Sequence, residues 1–306
     1  MVPARSSAPE GTVPAAAGKA GLRRFHRGLL VLLALAGAFQ VLIASESFSG
    51  NPMVLVPQVD AAVVWSHAGD IAEGALVDDA PFETAPLMLW WAALVRALGG
   101  GLGALAACQA LLYLVTLALI GRLSHRLAAS VGSPGFAAWV GWLGAGLFLA
   151  LDEPAAATTR VLAGSLQLVL TAGLLDLLTG IEWQSGRSAS PYRAAFIGVV
   201  TGLCCLAFPP YLALLPLVPL WLFASGGGGQ RAALIATVAS LLTIAPATVH
   251  NHRASGEFIP ISSQAGLTFY HGNNPAADGT LAAVGVVNSK EEQALDSLVK
   301  ARAALG

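Results

Sequence analysis

Seven apolar runs leave this chain little polar surface. They lie near residues 26–44, 102–120, 136–151, 161–178, 194–207, 211–224 and 232–249. Only 11% of the 306 residues are charged, and 56% are hydrophobic. A soluble domain carries about a quarter charged residues. Such a chain must hide its surface in lipid, where every backbone N–H and C=O has to be bonded internally. The runs are long and apolar rather than alternating, so they predict an all-α fold. That fold is a polytopic membrane bundle of about seven transmembrane helices. A span takes about 20 residues, so the shorter runs must borrow flanking residues or tilt little. Between the fifth and sixth runs, Phe208-Pro209-Pro210 removes backbone donors and stops helix continuation. A tight turn fits there, and a re-entrant hairpin fits equally.

Charge sets the expected orientation through the positive-inside bias. Arg23, Arg24 and Arg27 precede the first run, and Arg122 and Arg126 follow the second. Arg187 and Arg193 lie between the fourth and fifth, and Arg231 precedes the seventh. These alternate segments form one side, the cytoplasm, with Arg96 and Arg160 as exceptions. Residues 1–24 read as a disordered cytoplasmic tail and 25–249 as the membrane module. Residues 250–306 form an outer segment that stops in mid-pattern, as a fragment would. The arginines before the first run also resemble the start of a signal peptide, but the run is long and further spans follow. The expected location is the inner (plasma) membrane, multi-pass, with a cytoplasmic N-terminus.

The net charge of −1 excludes a nucleic-acid partner on electrostatic grounds; membrane lipids are the expected surroundings. Cys108, Cys204 and Cys205 are odd in number and fall in apolar runs, which suits packing. No zinc-ligand spacing is present.

The first outer loop, within 45–101, gathers acid. Between Ser45 and Pro86 stand Glu46, Asp60, Asp70, Glu73, Asp78, Asp79 and Glu83, seven of the chain's 17 carboxylates, with no Lys or Arg. From Asp60, the apolar residues Ala61, Val64, Trp65, Ala68, Ile71, Ala72 and Ala75 recur at three- and four-residue spacing. This pattern predicts an amphipathic helix lying at the membrane interface. Its polar face holds Asp60, His67, Asp70 and Gly74. Asp60 suits helix capping and general-base chemistry alike. His67 stands about 10 Å along the axis from it, too far for a direct pair. Residues 256–261 read as a short extended segment followed by turns, and 290–305 as a charged helix.

Asp60-Ala61 followed by Trp65, Ala68, Ile71-Ala72 and Gly74 resembles the first outer loop of the GT-C glycosyltransferases. This superfamily of polytopic enzymes uses lipid-linked sugars. It includes the protein O-mannosyltransferase-like and aminoarabinose-transferase-like enzymes, the family 39 type. Phe82-Glu83-Thr84-Ala85-Pro86-Leu87 resembles the family's next element. Asn251-His252-Arg253, Gly256-Glu257-Phe258-Ile259-Pro260-Ile261-Ser262-Ser263 and Gly272-Asn273-Asn274-Pro275 resemble its loop after the seventh helix. The likeness covers most of residues 25–280.

The resemblance implies transfer of a sugar, with inversion, from a polyprenyl phosphate to a hydroxyl of a protein or lipid acceptor on the non-cytoplasmic face. It implies that Asp60 is the general base and Glu83 a second loop carboxylate. Arg253, His250 and His252 become candidates for the departing phosphate, and His67 and Asn273 for substrate contacts. No cofactor is required. A divalent metal held by Asp60, Glu83 and a histidine stays open, although no local spacing supports it. Two departures support other readings. Phe208 stands where many relatives have Arg before Pro, and Ala61 follows Asp60 where mannosyltransferases carry a second acid. An inactive membrane scaffold or envelope-assembly protein of the same fold is therefore an alternative. A transporter is a further one, although the expected intramembrane charges reduce to Asp176.

Overall fold

The computed structural model describes residues 15–50, 52–55, 57, 60–75, 80–180, 190–224, 229–264, 269 and 273. All regular structure among them is helical. The helices are α1 Ala15–Gly50, α2 Pro52–Leu55, α3 Asp60–Ala72, α4 Pro86–Ala97, α5 Leu102–Ala129 and α6 Pro134–Leu149. They continue with α7 Asp152–Ala156, α8 Gly164–Thr179, α9 Pro191–Ala207, α10 Leu214–Ala224 and α11 Gly229–Ser255. Short 3₁₀ turns occupy Ala157–Thr159 and Pro209–Ala213.

Among the described residues, three helices are long and apolar enough to cross a membrane: Gly21–Ser49 within α1, α5 and α11. A fourth span results if α6 and the segment Asp152–Thr159, bent by 64°, count as one. Their outward residues are apolar, with Leu30, Val31, Val41 and Leu42 of α1 all exposed. Water would make that surface costly, and lipid does not.

The helices outrun the apolar runs that predict them because a helix continues through polar flanks until something stops it. Serine caps start α6 and α9. Ser133 Oγ accepts from Phe136 N at 3.3 Å, and Ser190 Oγ accepts from Arg193 N at 3.3 Å. A proline occupies the first turn of each, where its missing N–H costs nothing. The fourth run, 161–178, is helical only from Gly164. Helix α4, which the sequence reading left inside the outer loop, begins at Pro86. The segment expected to be extended at 256–261 contains bends and no strand.

The chain divides into two compact units. The first comprises Met1–Val63 and Gly99–Arg187, and the second Val64–Leu98 and Ser188–Gly306. In the first, Ala36, Tyr113, Leu117, Ala145, Phe148 and Ala155 form the core. Small residues bring its helices together. A Cβ added at Gly141 of α6 would come within 3.0 Å of the Gly121 carbonyl of α5. Buried polar side chains fix the bend after α6. Thr158 Oγ1 donates to Gln40 Oε1 at 2.8 Å, and Gln109 Nε2 donates to the carbonyls of Thr158 and Arg160 at 3.1 and 2.8 Å.

In the second unit α9 packs on α11. Gly198 and Gly202, one turn apart, present bare backbone to Ala236, Ser240 and Thr243. Ser240 Oγ donates to the Gly198 carbonyl at 3.0 Å. Close approach through small residues is how helices associate where lipid is as apolar as leucine. Cys205 and Leu206 continue this seam into a core with Ile244, Ala247 and Ile261.

Candidate functional site

Helix α3 forms where the three- and four-residue spacing predicts it. Val64 and Ala68 are buried, while Ser66, His67 and Asp70 are exposed. Asp60 is its first residue and is half-buried, so it departs from the exposed polar face on which the spacing drew it. It belongs to the first unit, whereas Glu83, His250, His252 and Arg253 belong to the second.

The second unit holds its end of α3 through Arg96 of α4. Nη1 of Arg96 donates to the Trp65 carbonyl at 2.8 Å, and the guanidinium lies 4.9 Å from the Trp65 ring centroid. Gly69 makes room for it, since a Cβ there would stand 2.7 Å from the guanidinium. Arg96 contradicted the charge rule in the sequence. Its partner is a backbone carbonyl and an aromatic face, which explains why a lone cation is tolerated there.

Asn251 organises the rest. It is fully buried near the end of α11. Its Oδ1 accepts from Phe82 N at 2.8 Å, and its Nδ2 donates to the carbonyls of Ile259 and Ile261 at 3.1 and 3.0 Å. The Phe82 carbonyl in turn accepts from Ser263 N at 2.8 Å, and Thr248 Oγ1 donates to the Pro260 carbonyl at 2.8 Å. One amide thus ties the loop before α4 to the segment after α11. Burial makes each of these bonds costly to lose.

The ring of Phe82 completes the knot against His250 and Trp90, with centroids 4.2 and 5.8 Å away. Nε2 of His250 lies 3.2 Å from the Ala80 carbonyl. A carbonyl only accepts, so this bond requires the proton on Nε2. His250 is therefore engaged in holding the loop.

Glu83, the residue after Phe82, is exposed, as are His252 and Arg253 in the last turn of α11. Nδ1 of His252 is 3.3 Å from the Glu257 carbonyl. The knot therefore brings a carboxylate, an imidazole and a guanidinium to the same loop cluster of the second unit, all accessible to a ligand. Such a set can pair with a phosphate and orient a hydroxyl. Asn273 is exposed, and its Nδ2 donates to the Phe269 carbonyl at 2.9 Å. Arg160 is paired with Glu153 at 2.6 Å, and Asp152 Oδ1 accepts from Glu153 N at 2.8 Å, a local helix-start contact. Asp78, Asp79, Arg187, His271 and the 290–305 segment lie outside the described residues. Among the described residues no three His, Cys, Asp or Glu side chains gather as a metal set would.

The sequence alone does not single out Asn251 as an organiser, and it presents Arg96 as an exception to the charge rule and, behind Arg253, His250 and His252, as a lesser candidate for the phosphate. A polar residue near the end of an apolar helix was the available signal for the first. Arg96 offered none, because its partners, Trp65 and Gly69, are far away in the chain. No protein-family model, curated protein or solved structure matches this chain.

Proposed function

We propose that this chain is a polytopic membrane glycosyltransferase of the GT-C type, using a polyprenyl-phosphate sugar as donor. In this reading it has about seven spans, α3 lies at the interface, the N-terminus faces the cytoplasm of a plasma (inner) membrane, and transfer occurs on the opposite face. The observation that carries it is the Asn251 knot, which holds exposed Glu83 in one loop cluster with exposed His252 and Arg253. A donor anchored in lipid delivers its phosphosugar at the membrane surface, so a site built from loop residues beside helix ends is where such chemistry belongs.

Asp60 is the base. Its carboxylate takes the proton of the acceptor hydroxyl as that oxygen attacks the anomeric carbon. The bond from that carbon to the phosphate oxygen breaks on the opposite side, giving inversion, and the lipid phosphate leaves with the electron pair. Arg253 and His252 stabilise the charge that appears on it, and Glu83 orients the acceptor. His67, Asn273 and His250 are outer contacts in this scheme, His250 acting through the loop it holds. A divalent metal is an open addition.

Reconstituted protein given a polyprenyl-phosphate sugar and an acceptor tests this. Asp60→Asn is expected to lower transfer by about 10²- to 10⁴-fold, the range of general-base catalysis, with helicity and unfolding temperature unchanged. Full activity in that variant removes Asp60 from the mechanism. Phe208 favours a second reading, an inactive scaffold of the same fold. Its ring sits edge-on to Tyr211 at 5.1 Å and offers no cation to a phosphate. Donor binding without turnover in wild-type protein would select that reading.

A further inference from the structure

The apolar surface of α11 is short for a membrane span. Its large exposed apolar side chains run from Leu234 through Val238, Leu241 and Leu242 to Val249. Exposed Arg231 stands before them, and exposed His252 and Arg253 stand after them. From Leu234 to Val249 the helix rises about 23 Å at 1.5 Å per residue. The hydrocarbon core of a bilayer is about 30 Å thick, so the band falls several ångström short.

One apolar ring lies where the band stops. Gly256, at φ +74°, turns the chain back, its N–H donating to the His252 carbonyl at 2.8 Å. The returning segment lies alongside the last two turns of α11. The Glu257 carbonyl is 3.3 Å from Nδ1 of His252, and the Ile259 carbonyl accepts from Nδ2 of Asn251 at 3.1 Å. The Pro260 carbonyl is held by Thr248 and the Ile261 carbonyl by Asn251. Phe258 stands between the first two of these contacts, which sets it level with the last turn of α11 rather than beyond it.

The Phe258 ring is 80% exposed, whereas Ile261 is buried. The contacts on both sides fix the backbone beneath the ring, so covering it orders little further chain. Around it, His252, Arg253 and Glu257 are polar and exposed. A single ring in polar company is too small for a protein interface, which buries about 800 Å² on each partner. It suits a bilayer surface, where an apolar side chain enters the acyl boundary and its charged neighbours stay among the head groups.

We propose that the 256–261 turn is an interfacial anchor. Phe258 enters the boundary between head groups and acyl chains of the bilayer that α11 crosses, and its occupant is lipid. The anchor extends the apolar band past Val249 and fixes the depth of the loops that Asn251 ties together. It depends on α11 as a span and not on sugar transfer.

The full chain is reconstituted in vesicles of phosphatidylcholine and phosphatidylglycerol, with a nitroxide on Phe258→Cys in a Cys108→Ala background; Cys204 and Cys205 are buried. Collisions with oxygen, which concentrates in lipid, are compared with collisions with a water-soluble nickel chelate. Oxygen contact is expected to exceed nickel contact severalfold. Nickel contact as frequent as for a nitroxide free in water overturns the proposal. Dipolar broadening between labels also overturns it, because the ring would then meet a second copy. With the label on Glu257→Cys instead, Phe258→Asp is expected to raise nickel contact severalfold, and no change overturns the role of the ring. If the labelled chains do not fold, Phe258→Trp decides in their place. Acyl-brominated lipid is expected to quench its added fluorescence, and undiminished fluorescence overturns the anchor.

Discussion

Both units bury polar side chains, but to different ends. In the first, Gln40, Thr158 and Gln109 bond to one another and to the carbonyls of residues 158 and 160. Their bonds are spent holding a bend inside a helical bundle, and the ion pair on that bend, Arg160 with Glu153, is exposed. In the second, the side-chain amide of Asn251 bonds to loop backbone, and the loops it fixes carry exposed Glu83 and end beside exposed His252 and Arg253. Similar amide chemistry yields a structural staple in one place and a framework for accessible charge in the other. The lesson is that a buried amide gains functional meaning from what its partners display.

Asn251→Leu presses this contrast hardest. It leaves one N–H and two carbonyls without their buried partner, and each such loss costs about 1–3 kcal/mol. A destabilisation of about 4 kcal/mol is expected, with amide exchange rising first at residues 80–83 and 259–263. Uniform exchange throughout the chain would show that the knot is not a local framework. Gln109→Leu is the counterpart. Two carbonyls lose their donor, so about 2 kcal/mol is expected. Exchange should rise at 157–161, with the proposed sugar transfer per folded molecule falling far less than in the Asn251 variant. Equal loss of transfer in both would erase the distinction. Glu153→Gln is the mildest test. Its exposed pair with Arg160 is worth about 0–1 kcal/mol, so the unfolding temperature should hardly move. A large drop would mean that the bend depends on this surface pair rather than on its buried amides.

Much of the architecture was legible in advance. Hydropathy marked α1, α5 and α11, and helical spacing marked α3 from Asp60 onward. Boundaries were less legible, because helices run on through Arg23 or His252 until a cap or break intervenes. Helix α4 was overlooked because its apolar residues, Leu87 to Val95, adjoin the acidic loop and are too few for a span. The break before Gly164 was hidden inside a run that hydropathy treats as continuous. At the site, the acids and histidines could be named from the sequence, but their roles could not be separated. His250 and His252 look alike in sequence, yet one holds a loop carbonyl and the other is exposed.

The sequence by itself determined that this chain is helical and belongs in a membrane, because hydropathy and helical spacing are local properties that survive any tertiary arrangement. Only the tertiary structure decided which polar residues organise it. Asn251 reaches Phe82 across 169 positions, and Arg96 reaches Trp65 across 31. A hydrogen bond depends on distance in space, and only folding determines which of these groups come within its reach.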